Sequence, residues 1–382
     1  MGKRLKGWLI RLLAAAAAGA LLWYLLPLLL APVSGALAQA AAVCTGLSFL
    51  SPATQQMVEQ INDTENQEQA QPVEETVSQP EAASAPSETV QPVQDTAQVL
   101  AAIADPADTT AQPAENTAAV VQQTYREGSS SQYLALDSGW VRNLSGLGTE
   151  EILSLSRQEL PFQIELNSDQ PQVLIYHTHA TEAYLPTLRS WYGLSESFRR
   201  AQNEEKMAAV GEVLAQTLEE AGIKVIHDTT QHDNPSYTGA YDRSRETIRH
   251  YLEQYPSIKV TLDVHRDAIT RDDNTVIAPT ATVEGQQVAQ VMIISCADGD
   301  RIPNFRQNFT FAAGLQQQAA RLYPDLMRPI LFDQNRFYNQ DLTTGSLLLE
   351  FGSHGNTLAQ AKRSAVLVGK SLIALWGGEG SS

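Results

Sequence analysis

"QVLIYHTHATEAYLP", Gln172 to Pro186, decides how this chain is read. Val173 to Tyr176 is a short apolar run rich in β-branched and aromatic residues, the composition of a buried strand. Directly behind it stand His177, His179 and Glu182. In open α/β sheets, functional groups gather beyond the carboxyl ends of the strands. The stretch therefore reads as a core strand that carries its polar chemistry to its end.

The flanking sequence repeats the pattern. "NEEKMAAVGEVLAQTLEEAGIKVIHD" places Met207, Val210, Val213, Leu214 and Leu218 at helical spacing, breaks at Gly222 and restarts as a strand. "DRSRETIRHYLEQYPSIKVTLDVHRDA" again runs helix then strand, "QVAQVMIISCA" reads as one strand, and "GSLLLEFGSHGNTLAQAKRSAVLVGKSLIALW" as strand, loop and helix. Strands alternating with helices predict an α/β fold: a mainly parallel central sheet with helices on both faces.

Two further strand ends carry titratable residues. His265, with Arg266 and Asp267, follows "KVTLDV", and Glu350 follows "SLLL" ahead of "FGSHGN". Histidines and glutamates from three strand ends form the inventory of a catalytic Zn2+ site, which takes three N/O ligands and keeps one position open. His179 and Glu182 form H-x-x-E, a spacing that one helical turn or a tight loop brings onto a single ion, and His265 supplies the third ligand. Glu350 is then the carboxylate that moves the proton. His177 is either a ligand in place of His179 or a group that supports the ligands from behind. Arg266 and Asp267 form a surface pair or orient His265. His354 and Asn356 are substrate contacts or turn residues, and "HDTTQHDNP", with His227, His232 and Asp233, reads as a solvated loop. No phosphate-loop pattern and no G-x-S-x-G elbow occurs, which disfavours a serine hydrolase.

The remaining sequence sets boundaries. The chain has 382 residues, a net charge of -17 and a pI near 4.8, so it lacks the basic stripe of a nucleic-acid binder. Its two cysteines, Cys44 and Cys296, lie too far apart in sequence to suggest a disulfide framework or a thiolate cluster. Lys3, Arg4, Lys6 and Arg11 flank "LLAAAAAGALLWYLLPLLLAPV", which predicts a transmembrane anchor over residues 1–40. The expected localisation is the cell membrane, single-pass, with the catalytic domain extracytoplasmic; a cleaved signal peptide ending at "ALAQA" is the alternative. Residues 41–131, rich in Glu, Gln, Pro, Ser and Ala, predict a disordered acidic linker. Residues 132–382 are left as one α/β domain that carries the candidate zinc site.

"VLIYHTHATEAYLP", "VTLDVHRDA" and "LLLEFGSHGNT", in that order, resemble the signature segments of the stage II sporulation protein P family. The likeness covers roughly residues 170–376. It implies a membrane-anchored cell-wall hydrolase acting in engulfment during endospore formation, with residues 132–382 as its hydrolase domain. More distantly, the segments are similar to zinc-dependent N-acetylmuramoyl-L-alanine amidases. There His179 falls on the first histidine, His265 on the second and Glu350 on the catalytic glutamate. Glu182 departs from that pattern, since the amidase glutamate ligand lies farther along, where Glu196 and Glu204 are the nearest substitutes. The resemblance further implies endopeptidase activity on cross-links, peptidoglycan as substrate, and a sporulation protein D-like glycosidase and a sporulation protein M-like membrane protein as partners. Two other classes are carried beside it: a catalytically inactive wall-binding module that recruits hydrolases, and a zinc carboxypeptidase on wall peptides.

Overall fold

In a computed structural model, residues 95–107 and 115–377 are described, and they belong to one compact unit spanning Gln69–Ser382. The strands are β1 (Thr117–Gln123), β2 (Tyr133–Ala135), β3 (Trp140–Leu144), β4 (Val173–Tyr176), β5 (Trp191–Gly193) and β6 (Val225–His227). They continue with β7 (Val260–Asp267), β8 (Val276–Val283), β9 (Gln286–Ala289), β10 (Val291–Cys296), β11 (Ile330–Asp333) and β12 (Gly345–Ser353). The α-helices are α1 (Thr96–Ala102), α2 (Thr149–Leu155), α3 (Met207–Glu220), α4 (Ala240–Gln254), α5 (Phe305–Leu322) and α6 (Leu358–Leu375).

An eight-stranded sheet runs β2-β3-β11-β10-β12-β7-β4-β6. The order β12-β7-β4-β6 is parallel throughout, as the alternating helix–strand pattern implies. β10 nevertheless pairs antiparallel with β12, and β2 antiparallel with β3. A smaller sheet, β5-β1-β8-β9, mixes both directions as well. The expectation of a mainly parallel sheet is thus corrected to a mixed one. Strand direction leaves no mark on an apolar run buried on both faces, so periodicity does not reveal it.

Alternation along β4 sorts the two layers. Val173 and Ile175 pack into the main core with Met207, Val210 and Leu214 of α3, Phe309 of α5 and Leu367 of α6. Leu174 and Tyr176 pack on the opposite face against Ile248 of α4 and Ile258. The sheet is therefore covered on both faces, and each buried leucine or isoleucine contributes about 1.5–3 kcal/mol of burial. Helix α6 starts cleanly because Thr357 and Gln360 form a reciprocal capping box.

Three readings change. "QVAQVMIISCA" is two strands in different sheets, broken at Gln290, a fully buried residue whose amide bonds both the N–H and the carbonyl of Tyr125. The boundary between residues 131 and 132 falls too late. β1 pairs with β8, and α1 buries Leu100 while Arg363 of α6 donates to the carbonyls of Leu100 and Ile103. An Ala- and Gln-rich stretch without aromatics can dock when another element supplies the apolar face; residues 41–94 and 108–114 of the expected linker lie outside the described residues. Finally, no helix among the described residues is long and apolar enough to cross a membrane. The transmembrane helix, and the single-pass membrane localisation built on it, is withdrawn; residues 1–40 also lie outside those described.

Candidate metal centre

The three strand ends meet on the α4 face of the sheet. Along β7, Val260, Leu262 and Val264 face the main core, so Thr261, Asp263 and His265 face α4. On β12, Leu347, Leu349 and Phe351 take the core face, which puts Glu350 on the α4 side, in register with His265. A register shift between Glu350 and Ser353 follows, and Gly352 takes φ +69 there. Beyond β4 the chain does not continue as a strand. Residues 178–181 form a turn in which the Glu182 N–H donates to the His179 carbonyl at 3.1 Å.

That turn completes a buried cluster of His179, Glu182 and His265, each offering one ligand atom within 4.8 Å of the others. His179 Nδ1 lies 3.8 Å from Glu182 Oε1, and His265 Nδ1 lies 3.4 Å from Glu182 Oε2. The His179 ring makes no hydrogen bond among the described residues; it is sandwiched by stacking on Tyr237 and by edge contacts with Tyr241 and His265. Burial, then the His265 charge, holds the His179 imidazole well below its ordinary range, so it presents a free lone pair. For Glu182, burial opposes ionisation, but Arg266 and His265 outweigh it and keep the carboxylate charged. Burial also disfavours the charged His265 ring, yet Asp263 and Glu182 raise it well above the usual histidine range. Two imidazoles and one carboxylate brought within 4.8 Å of one another form a donor set that a borderline divalent cation such as Zn2+ satisfies by displacing the proton that His265 otherwise holds. The residues fit the metal.

Support comes from Asp263, which the sequence reading did not assign, and from Arg266, which it did. Asp263 Oδ1 lies 2.8 Å from His265 Nε2, although the ring N–H is not aligned into a good hydrogen bond. The pair is held by charge more than by direction. Asp263 also accepts from the Thr178 N–H and hydroxyl, tying β7 to the turn after β4. The D-x-H spacing on a strand was the available signal, because residues two apart share a face. Arg266 is buried, not a surface partner of Asp267: its amide donates to Glu182 Oε2, and its guanidinium to the carbonyls of Ala183 and Phe198. Asp267 pairs instead with Arg328 at 2.8 Å.

His177 stands outside the cluster. Its Nδ1–H donates to the Val264 carbonyl at 2.9 Å, and its Nε2 lies 2.9 Å from His227 Nε2. Glu196 and Glu204 are likewise outside it; Glu196 pairs with Arg189. The "HDTTQHDNP" segment is not a solvated loop. His232 and Asp233 are buried, and they bind the His177 carbonyl and the Thr181 amide and hydroxyl. Polar side chains congregate there because the turn at 178–181 leaves backbone groups that need partners. Asn356, fully buried, bonds the Ser353 N–H, the Pro279 carbonyl and Gln360, so it is a turn residue.

Glu350 is set apart by what it lacks. Its buried Oε2 has no hydrogen-bond partner. Burial and the nearby Asp267 charge push its carboxyl up to about 8, against the pull of His265.

Comparison with known proteins follows the same lines. The model of the family "Stage II sporulation protein P (SpoIIP)" matches residues 43–372. Stage II sporulation protein P of Bacillus subtilis (strain 168) is 30% identical over 233 residues, covering 58% of this chain and 55% of that protein. The chain therefore spans about half the length of that curated relative. Among solved structures, an N-acetylmuramoyl-L-alanine amidase from Clostridium difficile 630 matches with 14% identity and TM-score 0.31, over 54% of this chain and 97% of its own. The CwlD amidase of Clostridioides difficile, solved with the GerS lipoprotein, matches with 12% identity and TM-score 0.32, over 53% and 99%. On the extent of the family match, the chain belongs to the stage II sporulation protein P family.

Proposed function

We propose that the protein is a zinc-dependent peptidoglycan hydrolase of the N-acetylmuramoyl-L-alanine amidase type, acting on the cell wall during sporulation. The observation that carries this reading is the pairing of a buried His179–Glu182–His265 donor set with an unpartnered buried carboxyl, Glu350. His179, Glu182 and His265 would hold the Zn2+, which when bound supplies Lewis acidity for an amide carbonyl and for water. Asp263 holds the His265 ring in place, as carboxylates behind ligating histidines do. Glu350 takes a proton from the attacking water and returns it to the leaving amine. A carboxyl pushed up to about 8 suits both directions of that transfer near neutrality.

Family membership supports the wall as substrate, and the Bacillus subtilis relative supports a sporulation setting. The amide between the lactyl group and L-alanine, and an endopeptidase activity beside it, rest on the resemblance of the three signature segments, as do the glycosidase and membrane-protein partners. Glu350 favours an enzyme over a wall-binding module, because a binder has no use for a proton-accepting carboxyl at the cluster. The test is Glu350→Gln assayed for bound zinc and for release of fragments from purified peptidoglycan. Zinc is retained while hydrolysis falls on the order of 10²-fold or more. A variant as active as the parent refutes the reading.

A further inference from the structure

The cluster has a cation beside it that the proposed chemistry leaves unused. Arg199 Nη1 donates to Thr181 Oγ1 at 2.7 Å and to Asp233 Oδ2 at 2.8 Å. The Asp233 side chain is fully buried and also accepts from the Thr181 amide and hydroxyl, so this corner of the guanidinium is clamped. The rest of the head group is open. Nε and Nη2 have no partner among the described residues, and the side chain is 33% exposed.

Its position is as specific as its clamp. The Arg199 guanidinium lies over the Tyr237 ring, 4.9 Å from its centroid, and that ring stacks on His179 at 4.3 Å. One tyrosine ring thus separates free guanidinium donors from a proposed zinc ligand. The backbone of Arg199 bridges to Glu182, which ties the arginine to the turn that carries the cluster. An arginine needed only to neutralise Asp233 would aim its two-pronged edge at that carboxylate; here a single nitrogen meets it. The free edge is a planar fork, matched to a carboxylate.

We propose that Arg199 is a subsite for a carboxylate on the peptide side of the scissile amide. This deepens the amidase reading and rests on it. In wall peptides, the residue after L-alanine is a γ-linked glutamate whose α-carboxylate is either free or amidated, so the subsite discriminates these two forms. The atoms already in place account for the preference: Asp233 and Thr181 fix the guanidinium, and the Tyr237 ring spaces it from His179.

The test uses soluble muramoyl peptides in matched α-carboxylate and α-carboxamide forms, with the zinc-loaded full chain. The parent shows a KM about tenfold lower for the carboxylate form, equal to about 1.4 kcal/mol. In Arg199→Ala the ratio of the two KM values collapses toward one. Arg199→Lys, which keeps a charge opposite Asp233 but lacks the fork, loses part of the preference and decides the matter should the alanine variant not fold. A parent with equal KM for both forms, or a lysine variant with the parent's full preference, overturns the subsite while leaving the amidase reading standing. A zinc-loaded parent that cleaves neither form refutes the amidase reading, and the subsite falls with it.

Discussion

β7 and β4 deliver histidines to one cluster by opposite means. In β7 the strand runs on through His265 to Asp267, so alternation holds and Asp263 and His265 share the α4 face. In β4 the strand stops at Tyr176, and the turn after it carries His179 across to the α4 side while His177 stays beneath, against Gly211 of α3. Residues two apart therefore share a fate in β7 and part company after β4. The two-residue period is a property of extended backbone, and it ends where the backbone turns.

The hardest test of this contrast is metal content. His265→Ala and His179→Ala lose both zinc and hydrolysis, because a three-ligand site cannot spare one ligand. His177→Ala keeps its zinc and loses stability instead, through the broken contacts to Val264 and His227. Elemental analysis of purified variants checks it; zinc lost from His177→Ala would put that ring back among the ligands and erase the contrast.

The end of β12 extends the comparison to pH. Burial, with the Arg266 charge adding, pulls the His354 imidazole down from 6.5 to about 3. The unfolded chain takes up this proton near pH 6.5 and the folded chain only near 3, so between those values the unfolded state binds more protons. Stability therefore falls as pH drops through that window, by on the order of a few kcal/mol for this one ring. Denaturant unfolding of His354→Asn beside the parent isolates the effect: the variant has the shallower acid decline. Parallel declines would mean that the ring protonates in the folded state.

A smaller effect is expected at the residue behind the ligand. Asp263→Asn keeps its zinc but binds it about 10- to 100-fold more weakly, as when other carboxylates behind ligating histidines are removed. Competition with a chelator measures this. Unchanged affinity would show that Asp263 serves the Thr178 turn and not His265.

These cases mark what the sequence makes legible. The strands carrying His265 and Glu350 are readable because short apolar runs identify them, β-branched in the first and leucine-rich in the second, and their functional residues lie within the extended part. His179 and Glu182 are readable through H-x-x-E, a spacing suited to the turn observed. What stays hidden depends on partners distant in sequence. The antiparallel pairing of β10 with β12 is unmarked in either apolar run. Gln290 breaks β9 from β10 by binding Tyr125, 165 positions away. His232 and Asp233 look like loop residues until the turn whose backbone they satisfy is in view.

The smallest effect expected probes the floor under His177. Gly211 lies within α3, where alanine is favoured by roughly 1 kcal/mol through helix propensity. A Cβ there would come within 2.6 Å of Nε2 of both His177 and His227. Neither ring is a flexible tip that swings aside, since the two are 2.9 Å apart and His177 is also bound to the Val264 carbonyl. Overpacking of this kind costs about 1–3 kcal/mol, so the clash outweighs the propensity gain and Gly211→Ala is destabilised by about 1 kcal/mol net. Its zinc content stays at the parent level, because the displaced ring lies on the far side of the sheet from the ligand atoms. Thermal unfolding and metal analysis on the same preparation provide the check. A stabilised variant would mean that the His177–His227 pair yields freely. A destabilised variant short of zinc would mean that displacing His177 reaches His179 through the turn, so that the two histidines after β4 act together after all.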